Sequence, residues 1–479
     1  MSTDRDRVFI VTDSEQLSIG HLKGYAYHLI TYFNQQNIKK TDYIALFPSL
    51  SVDSVMFIAA CYVIGQKILV LPTNIQQSEI DDAFDALKPV SIFVTDKVTF
   101  KSESIPVHTI PDHGGQNAIL DKSTHSLLGD VDSEPNEYFT CLMTSGSTGK
   151  PKLVQHIRRN FQAAARSSSS NLRIKPGDQW LLNLPLNHIA GISIIIRSLL
   201  SGSVVRLTED SSIEALANVL QHDPDLSYCS LVPTQLTRLY QKHTFRTGSN
   251  LKMILLGGGP ISESLIIESR LRRIPVMPSF GMTETTAQCL AVPFDEISTA
   301  PEYSCGKPLP GIEAQLRVDP DDEESGYQLL WIKGNQVFKK YTDPDLTSVS
   351  FDEHGWFCTG DYASVDSEGY FRIIMRRTDR IVSGGENINP REVESALNSL
   401  VEITDVAVIG LPDDEWGQVV TAVVVSNHSV TLPWIKTKLD GVLPGFKQPK
   451  KLIQINAIPR TASGKILRRE LQKLIESIG

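Results

Sequence analysis

From residue 42 onward, apolar runs of strand length alternate with amphipathic segments of helix length. That alternation constrains the fold of this chain more than any other feature. Strand-like Tyr43–Pro48, Lys67–Pro72 and Ser91–Val94 are separated by helical patterns over Val52–Gly65 and Gln77–Leu87. After residue 178 the alternation returns with strands at Trp180–Pro185, Val204–Leu207, Tyr228–Pro233, Lys252–Leu256 and Pro275–Phe280. Helical stretches at Ile192–Leu200, Ile213–Gln221, Gln235–His243 and Glu263–Arg272 lie between them. Strands joined by helices build largely parallel, layered α/β architecture.

The pattern changes after Gly311. Glu313–Val318, Tyr327–Gly334 and Tyr370–Met375 are short extended runs without intervening helices, which predicts a small antiparallel β unit. From about residue 380 it changes again. Asn389 can cap a helix with Pro390 at its first position and Glu392 in its first turn. That helix, Arg391–Leu400, precedes strands at Val406–Leu411 and Val419–Val425, another helix, a strand at Leu452–Asn456 and a final helix. The expected division is a large domain over 1–378 and a small α+β domain over 379–479, with the boundary at Asp379. The serine run Ser167–Ser170 is too short to be a low-complexity tract.

Composition fits an ordinary soluble globular chain of 479 residues, 41% hydrophobic and 21% charged. A net charge of −9 gives no pull toward nucleic acid or an anionic membrane. The start, MSTDRDRVFIV, is too polar for a secretory signal, and the longest apolar span, Val55–Gly65, is half of what a bilayer needs. Six dispersed cysteines without a CxxC argue against structural zinc or a disulfide framework and for reduced thiols in the cytoplasm.

The most informative stretch is Thr144–Lys152, TSGSTGKPK, between the extended runs YFTCLM and KLVQH. Its glycines let backbone N–H groups turn toward an anion, its hydroxyls add donors and its lysines add charge. It is not a Walker A loop, because two residues separate Gly146 from Gly149 and Pro151 follows Lys150. By composition alone a polar hairpin turn remains an equal reading.

The nine-residue string nevertheless resembles the phosphate loop of the adenylate-forming superfamily: acyl- and aryl-CoA synthetases, luciferases and peptide-synthetase adenylation domains. Further signatures follow in that family's order: SFGMTET at Ser279–Thr285, TGD at Thr359–Asp361, RRTDRIVSGGE at Arg376–Glu386 and PRTASGKILRR at Pro459–Arg469. The resemblance implies ATP, magnesium and CoA as cofactors and a carboxylic acid as substrate. It also implies an acyl-adenylate intermediate; a homodimer is a separate expectation.

Residue by residue, the resemblance assigns ATP binding to Thr144, Ser145, Gly146, Ser147, Thr148, Lys152, Gly258, Ser279, Phe280, Gly281 and Met282. Phe280 would face adenine, Thr283 the α-phosphate and Glu284 magnesium, a cation that prefers hard oxygen ligands. The bland reading of Glu284 is a cap for a following helix. Gly257 would line the acyl group at a strand-to-helix junction, where α/β ligand sites form. Asp361, assisted by Arg376, would accept hydrogen bonds from both ribose hydroxyls. Lys465 would stabilise charge as the acid attacks phosphorus. Asp379 would be a hinge between two conformations, one presenting Lys465 and the other lining a pantetheine tunnel with Gly384 and Gly385.

The acid is the less constrained part. LPLNHIAG, Leu184–Gly191, matches the segment that gates the acyl pocket, with His188 at the gate position and no acidic residue to hold an amino-acid ammonium. With ILLGGGP and SFGMTETTAQ it looks most like the branch that joins 2-succinylbenzoate to CoA in menaquinone synthesis. Arg197, nine residues after His188 in an apolar helix, would then face the second carboxylate; snorkelling to the surface is the alternative. Other readings are a general aryl or medium-chain acid–CoA ligase, a stand-alone adenylation enzyme loading a carrier protein, and a binding protein with a lapsed site. The C-terminal ESIG lacks a peroxisomal SKL address, which argues against a luciferase. Two departures from the family are an N-terminus shorter by about one helix and Gln328 where Glu is usual.

Overall fold

The computed structural model describes residues 4–73, 75–113, 135–144, 152–208, 210, 212–242, 244–321, 323, 326–460, 464 and 466–478. They group into two compact units, Met1–Glu313 with Ile332–Phe357, and Ala314–Trp331 with Cys358–Gly479.

The first unit holds two sheets whose centres are parallel, as the alternation predicts. The seven-stranded sheet runs Lys340–Tyr341, Lys152–Ile157, Tyr138–Thr144, Lys67–Val70, Tyr43–Phe47, Ser91–Val94, Val107–Thr109. Its last five strands are parallel, and the hairpin Tyr138–Ile157 turns one edge antiparallel. The nine-stranded sheet runs Lys307–Pro308, Ala287–Ala291, Val276–Met282, Met253–Leu256, Leu226–Leu231, Gln179–Leu182, Val204–Leu207, Val8–Val11, Gln16–Ser18. Here too the antiparallel pairs are confined to the edges.

Buried strands explain the apolar runs. Ile44, Ala45 and Leu46, like Ile68, Leu69 and Val70, are inaccessible on both faces, which only parallel strands covered on both sides require. Helices Ile213–His222, Pro233–Gln241 and Glu263–Leu271 bury Leu216, Leu220, Leu236, Leu239 and Ile266 against Leu231, Ile254 and Leu256. Burying one such leucine contributes about 1.5–3 kcal/mol, so this layer alone anchors the nine-stranded sheet.

Three helices escape the sequence pattern, the short Pro344–Ser350 among them. Ile19–Gln35 lies before the alternation begins and starts at a capping box in which Ser18 and His21 exchange hydrogen bonds. Arg158–Leu172 (RRNFQAAARSSSSNL) contains the serine run. Its serines pack inward, with Ser167 and Ser168 buried and Ser168 Oγ donating to Gln288 Oε1 at 3.0 Å. Small hydroxyl side chains let this helix approach its neighbours closely, and that hides it from a search for apolar periodicity.

The second unit has two parts. A four-stranded sheet orders Ile312–Val318, Gln328–Gly334, Phe357–Val365 and Phe371–Arg376, the last two antiparallel, matching the predicted β unit with one additional strand. The other sheet orders Glu386–Ile388, Ile381–Ser383, Gly417–Val425 and Asp405–Asp413, with Lys451–Gln454 pairing parallel to Gly417–Val425. Its two long strands alternate their burial. Val406, Val408, Val420 and Val424 join a core with Val393, Leu397, Ile435 and Leu439 of helices Pro390–Asn398 and Leu432–Leu439. Ala407, Ile409 and Val423 face Leu471 and Ile475 of the last helix, Arg468–Ile478. Asn389 Oδ1 accepts from the N–H of Arg391 at 3.0 Å with Pro390 first in the helix, as the cap chemistry dictates.

One charged clamp in the first unit ties three segments together. His113 Nδ1 lies 2.6 Å from Asp53 Oδ1 and Nε2 lies 3.3 Å from Glu15 Oε2. The hydrogen bond to Asp53, with smaller help from Glu15, pushes the half-buried imidazole up to about 9 from 6.5. Because the folded value is raised, the clamp's stability is complete below about pH 6.5 and is lost as pH rises through about 9. The expected outcome is a thermal midpoint that falls by about 1–3 °C between pH 6.5 and 9.5. His113→Gln should start lower and lack that component of the slope.

Candidate active site

The chemistry-bearing residues sit where strands end. Tyr138–Thr144 pairs antiparallel with Lys152–Ile157, and Thr144 opposite Lys152 is the last pair. The TSGSTGKPK segment therefore bridges a hairpin; Ser145, Gly146, Ser147 and Thr148 fall outside the described residues. Thr144 Oγ1 lies 3.5 Å from the Lys152 carbonyl. Lys152 Nζ stands over the Tyr341 ring, 5.4 Å from its centre. Tyr341 O–H in turn donates to Glu284 Oε1 at 2.8 Å. One tyrosine thus brings the loop lysine and the candidate metal carboxylate together.

Glu284 is buried on a single helical turn, Thr283–Thr285, that closes the strand Val276–Met282. It caps no helix, so the bland reading fails; the chain returns directly as strand Ala287–Ala291. The turn is strained and held. Thr286 and Ala287 have φ of 51° and 75°, a region that costs a non-glycine residue about 1–3 kcal/mol. Thr286 Oγ1 donates to the Gln336 carbonyl and Gln336 Nε2 donates to the Gln288 carbonyl, both at 2.7 Å. Gly281 is obligatory here, since a Cβ would meet the Ala287 carbonyl oxygen at 1.8 Å. Beneath the turn, fully buried His156 donates from Nε2 to the Thr283 carbonyl at 2.7 Å, and its Nδ1 faces Thr140 Oγ1 at 3.4 Å. Ser279 Oγ donates to the Leu256 carbonyl at 3.0 Å, and a Cβ on Gly257 would meet that hydroxyl at 2.9 Å. Gly258 adopts φ 77° as the chain leaves strand Met253–Leu256. Phe280 and Met282 stand half-buried at the end of the same strand as Ser279.

His188 precedes the first residue of helix Ile189–Ser201 and does not cap it; burial lowers its pKa. Arg197 does not snorkel. It is buried on that helix with its guanidinium 4.4 Å from the ring centre of Trp180, and its Nε and Nη1 have no hydrogen-bond partner among the described residues. Burial lowers its pKa to about 10, a direction that fits a cation stripped of water. Ser193 Oγ, one turn earlier, is also buried and unpartnered among the described residues. Contrast Arg206, whose Nε meets Asp223 at 2.8 Å, Nη2 meets Asp13 at 2.5 Å and Nη1 reaches the Leu207 carbonyl at 2.9 Å.

In the second unit Asp361 lies opposite Arg376 across two antiparallel strands, with Oδ1 3.3 Å from Arg376 Nε. Its Oδ2 is buried and unpartnered among the described residues. Asp379 closes a single turn, Arg377–Asp379, and its Oδ2 is 3.6 Å from Arg468 Nε. Gly384 and Gly385, with φ of 60° and 83°, form the two-residue turn between Ile381–Ser383 and Glu386–Ile388 that a tight hairpin requires. Lys465 falls outside the described residues.

Five residues that the sequence reading did not single out shape these sites: Tyr341, His156, Trp180, Trp416 and Arg460. Trp416 fills the space where a Cβ on Gly384 would stand, at 2.7 Å, and carries Lys450 Nζ 3.3 Å from its ring centre. Tyr341, His156, Trp180 and Trp416 lie outside the motifs, the only hint being an exposed tryptophan one residue before a glycine at Trp416–Gly417. Arg460 stands inside PRTASGKILRR, but its pairing with Asp405, 55 residues away, leaves no local mark.

Comparison with known proteins accords with this arrangement. Residues 1–342 match the AMP-binding enzyme family and residues 392–465 match the AMP-binding enzyme C-terminal domain. The chain is 31% identical to a 2-succinylbenzoate–CoA ligase of Oceanobacillus iheyensis, over 91% of this chain and 89% of the relative. It is also 31% identical to the enzyme of that name from Bacillus pumilus, over 98% and 95%. Among solved structures it resembles an o-succinylbenzoate CoA synthetase from Bacillus subtilis in complex with its acyl-adenylate intermediate, with TM-score 0.83, 28% identity and coverage of 98% and 95%. The same Bacillus subtilis enzyme has been solved with ATP and magnesium, at TM-score 0.82 and 28% identity.

Burial holds His156 neutral, with its pKa lowered to about 4 despite the bond to Thr283. A depressed value means the unfolded chain takes up a proton that the native chain refuses, so stability falls as pH drops from about 6.5 toward 4. Urea midpoints at pH 7 and pH 5 should differ less in His156→Gln than in the native protein. An unchanged difference would show the imidazole is not held neutral.

Proposed function

The chain belongs to the AMP-binding enzyme family and is an AMP-forming acid–CoA ligase, and from that premise we propose that its acid is 2-succinylbenzoate. The observation that carries this substrate is Arg197. A guanidinium buried in an apolar helix needs a counter-anion, because an unpaired buried charge costs several kcal/mol. The protein offers it a tryptophan face and leaves two of its nitrogens, Nε and Nη1, without acceptors among the described residues. A monocarboxylic acid spends its only carboxylate on phosphorus. A dicarboxylic acid has one to spare for Arg197. The relatives that carry this activity by name support the same choice, and the reading places the enzyme in the cytoplasm, in menaquinone biosynthesis.

In the first half-reaction an acid carboxylate oxygen attacks the α-phosphorus of ATP, an acyl-adenylate forms and pyrophosphate leaves. In the second, the CoA thiol attacks the acyl carbon, its proton is lost, the thioester forms and AMP leaves. Glu284, a hard oxygen donor oriented by Tyr341, is the residue that would hold magnesium; the ion, when bound, neutralises phosphate charge. Thr283, fixed through its carbonyl by His156, faces the α-phosphate. Thr144, Lys152 and the intervening loop hold the outer phosphates. Ser279, Phe280, Gly281, Met282 and Gly258 form the adenosine side, and Gly257 and His188 the acyl side. The free Oδ2 of Asp361 is suited to a ribose hydroxyl, with Arg376 holding Oδ1. Lys465 stabilises the adenylation transition state. The proposed working division is 1–378 and 379–479 about a hinge at Asp379, which differs from the two compact units by giving Ala314–Trp331 and Cys358–Thr378 to the first domain, and Gly384–Gly385 border the pantetheine path, where the Cβ position of Gly385 is open.

Four experiments test this reading. Acid-dependent pyrophosphate release compared across 2-succinylbenzoate, benzoates and medium-chain acids should favour the first. Arg197→Ala should lower kcat/KM for succinylbenzoate about 30- to 1,000-fold, the cost of losing a buried charge pair, while the KM for ATP moves less than about threefold. An equal loss with benzoate would reject Arg197 as the distal carboxylate's partner. Asp361→Ala should raise the KM for ATP about 10- to 100-fold, as expected for hydrogen bonds to a charged acceptor. Acyl transfer to a carrier-protein thiol in preference to CoA would favour the carrier-loading alternative.

A further inference from the structure

Described residues on both sides of Lys465 are fastened by guanidinium–carboxylate pairs, and we infer that Arg460, gripped by Asp405, is the positioning residue for that lysine. This rests on the reading of Lys465 as the adenylation lysine. Arg460 uses three of its N–H groups at once. Nη2 and Nε meet the two oxygens of Asp405 at 2.6 and 3.2 Å, and Nη1 donates to the Gly464 carbonyl at 2.8 Å. Arg460 and Ile466 also pair as an isolated antiparallel bridge, and the Leu467 N–H donates to the Pro459 carbonyl at 2.9 Å. The residues flanking Lys465, Gly464 and Ile466, are therefore both fixed to Arg460.

Asp405 is a rigid anchor. It opens the nine-residue strand Asp405–Asp413, paired along its whole length with Gly417–Val425. Past the lysine, Arg468 Nη2 meets Glu394 Oε1 at 2.8 Å, and that oxygen also accepts the Val408 N–H at 2.8 Å. Both tethers thus end on the same strand. The logic is geometric: a lysine reaches its target on a flexible four-carbon stem, so precision has to come from its backbone. A misplacement of about 1 Å at such a group can cost 10²-fold in rate. Only arginine's fork can hold a carboxylate and a carbonyl together in this way; lysine at 460 could satisfy one of them.

The test separates the two half-reactions. Arg460→Ala should lower kcat for acid-dependent pyrophosphate release about 10- to 100-fold, with the KM values for ATP and acid within about threefold. Thioester formation from synthetic acyl-adenylate and CoA, the step in which the implied cycle turns Lys465 away, should change less than about threefold. Asp405→Ala should reproduce that signature, the double variant should be no worse than either single one, and Arg460→Lys should recover only part of the rate. A parallel fall in both half-reactions would make the pair merely structural and overturn the inference, as would no fall in either. Should Arg460→Ala fail to fold, Asp405→Asn carries the same comparison. Lys465→Ala is the control: if it leaves pyrophosphate release intact, the underlying reading of the lysine fails. If it abolishes release while Arg460→Ala does not, only the present inference fails.

Discussion

Parallel strands buried on both faces set the terms for the rest of this molecule. Where neither face of a sheet meets water, a polar side chain along a strand needs its own buried partner, as Arg206 has, and open ligand chemistry is displaced to the strand ends. Thr144 is the last residue of its strand, Gly257 follows Leu256, and Phe280–Met282 finish theirs, while His188 comes a few residues after strand Gln179–Leu182. The chain at those ends must turn, and turning backbone exposes N–H groups and side chains together. Ligand sites at the carboxyl ends of strands follow from that rule. The price is local strain, seen at Thr286 and Ala287, and the surrounding hydrogen bonds from Gln336 hold it in place.

Buried charge distinguishes framework from function in the same structure. Arg206 and Glu394 are buried and matched: each meets an oppositely charged side chain and at least one backbone group. They hold segments in place and ask nothing of a ligand. Arg197 and Asp361 are equally buried but incompletely matched, each with polar atoms lacking a partner among the described residues. Each such group calls for an explanation, and a ligand that supplies the missing partner is one. One lacks an acceptor and the other lacks a donor. A dicarboxylic acid and a ribose offer those complementary groups.

The α/β alternation, the antiparallel β unit and the C-terminal body were legible because each leaves a period in the apolar residues. Gln77–Leu87 and Ser91–Val94 stand at the predicted limits. Helix Arg158–Leu172 was not legible, because between Phe161 and Leu172 its buried face is built from glutamine, alanine and serine and carries only a faint apolar period. The candidate site was named through ordered motifs, several of which the structure puts at strand ends. It was not legible in what supports them. Tyr341 orients Glu284 from 57 residues away, His156 holds Thr283 from 127 away, and Trp180 backs Arg197 from a different element. Such partners are chosen by tertiary proximity, which no local spacing records.

The Gly384–Gly385 turn shows why the two kinds of reading need each other. As sequence, two glycines are ambiguous between a hairpin and a lining for a pantetheine path. As structure, both have positive φ, so the hairpin alone accounts for their conformation. Sterics then separate them. Gly384 has no room for a Cβ because Trp416 lies against it, whereas nothing stands within 4 Å of one on Gly385. Packing explains the first glycine completely. Packing gives no such reason for the second, whose positive φ, imposed by the turn, is all that favours glycine there.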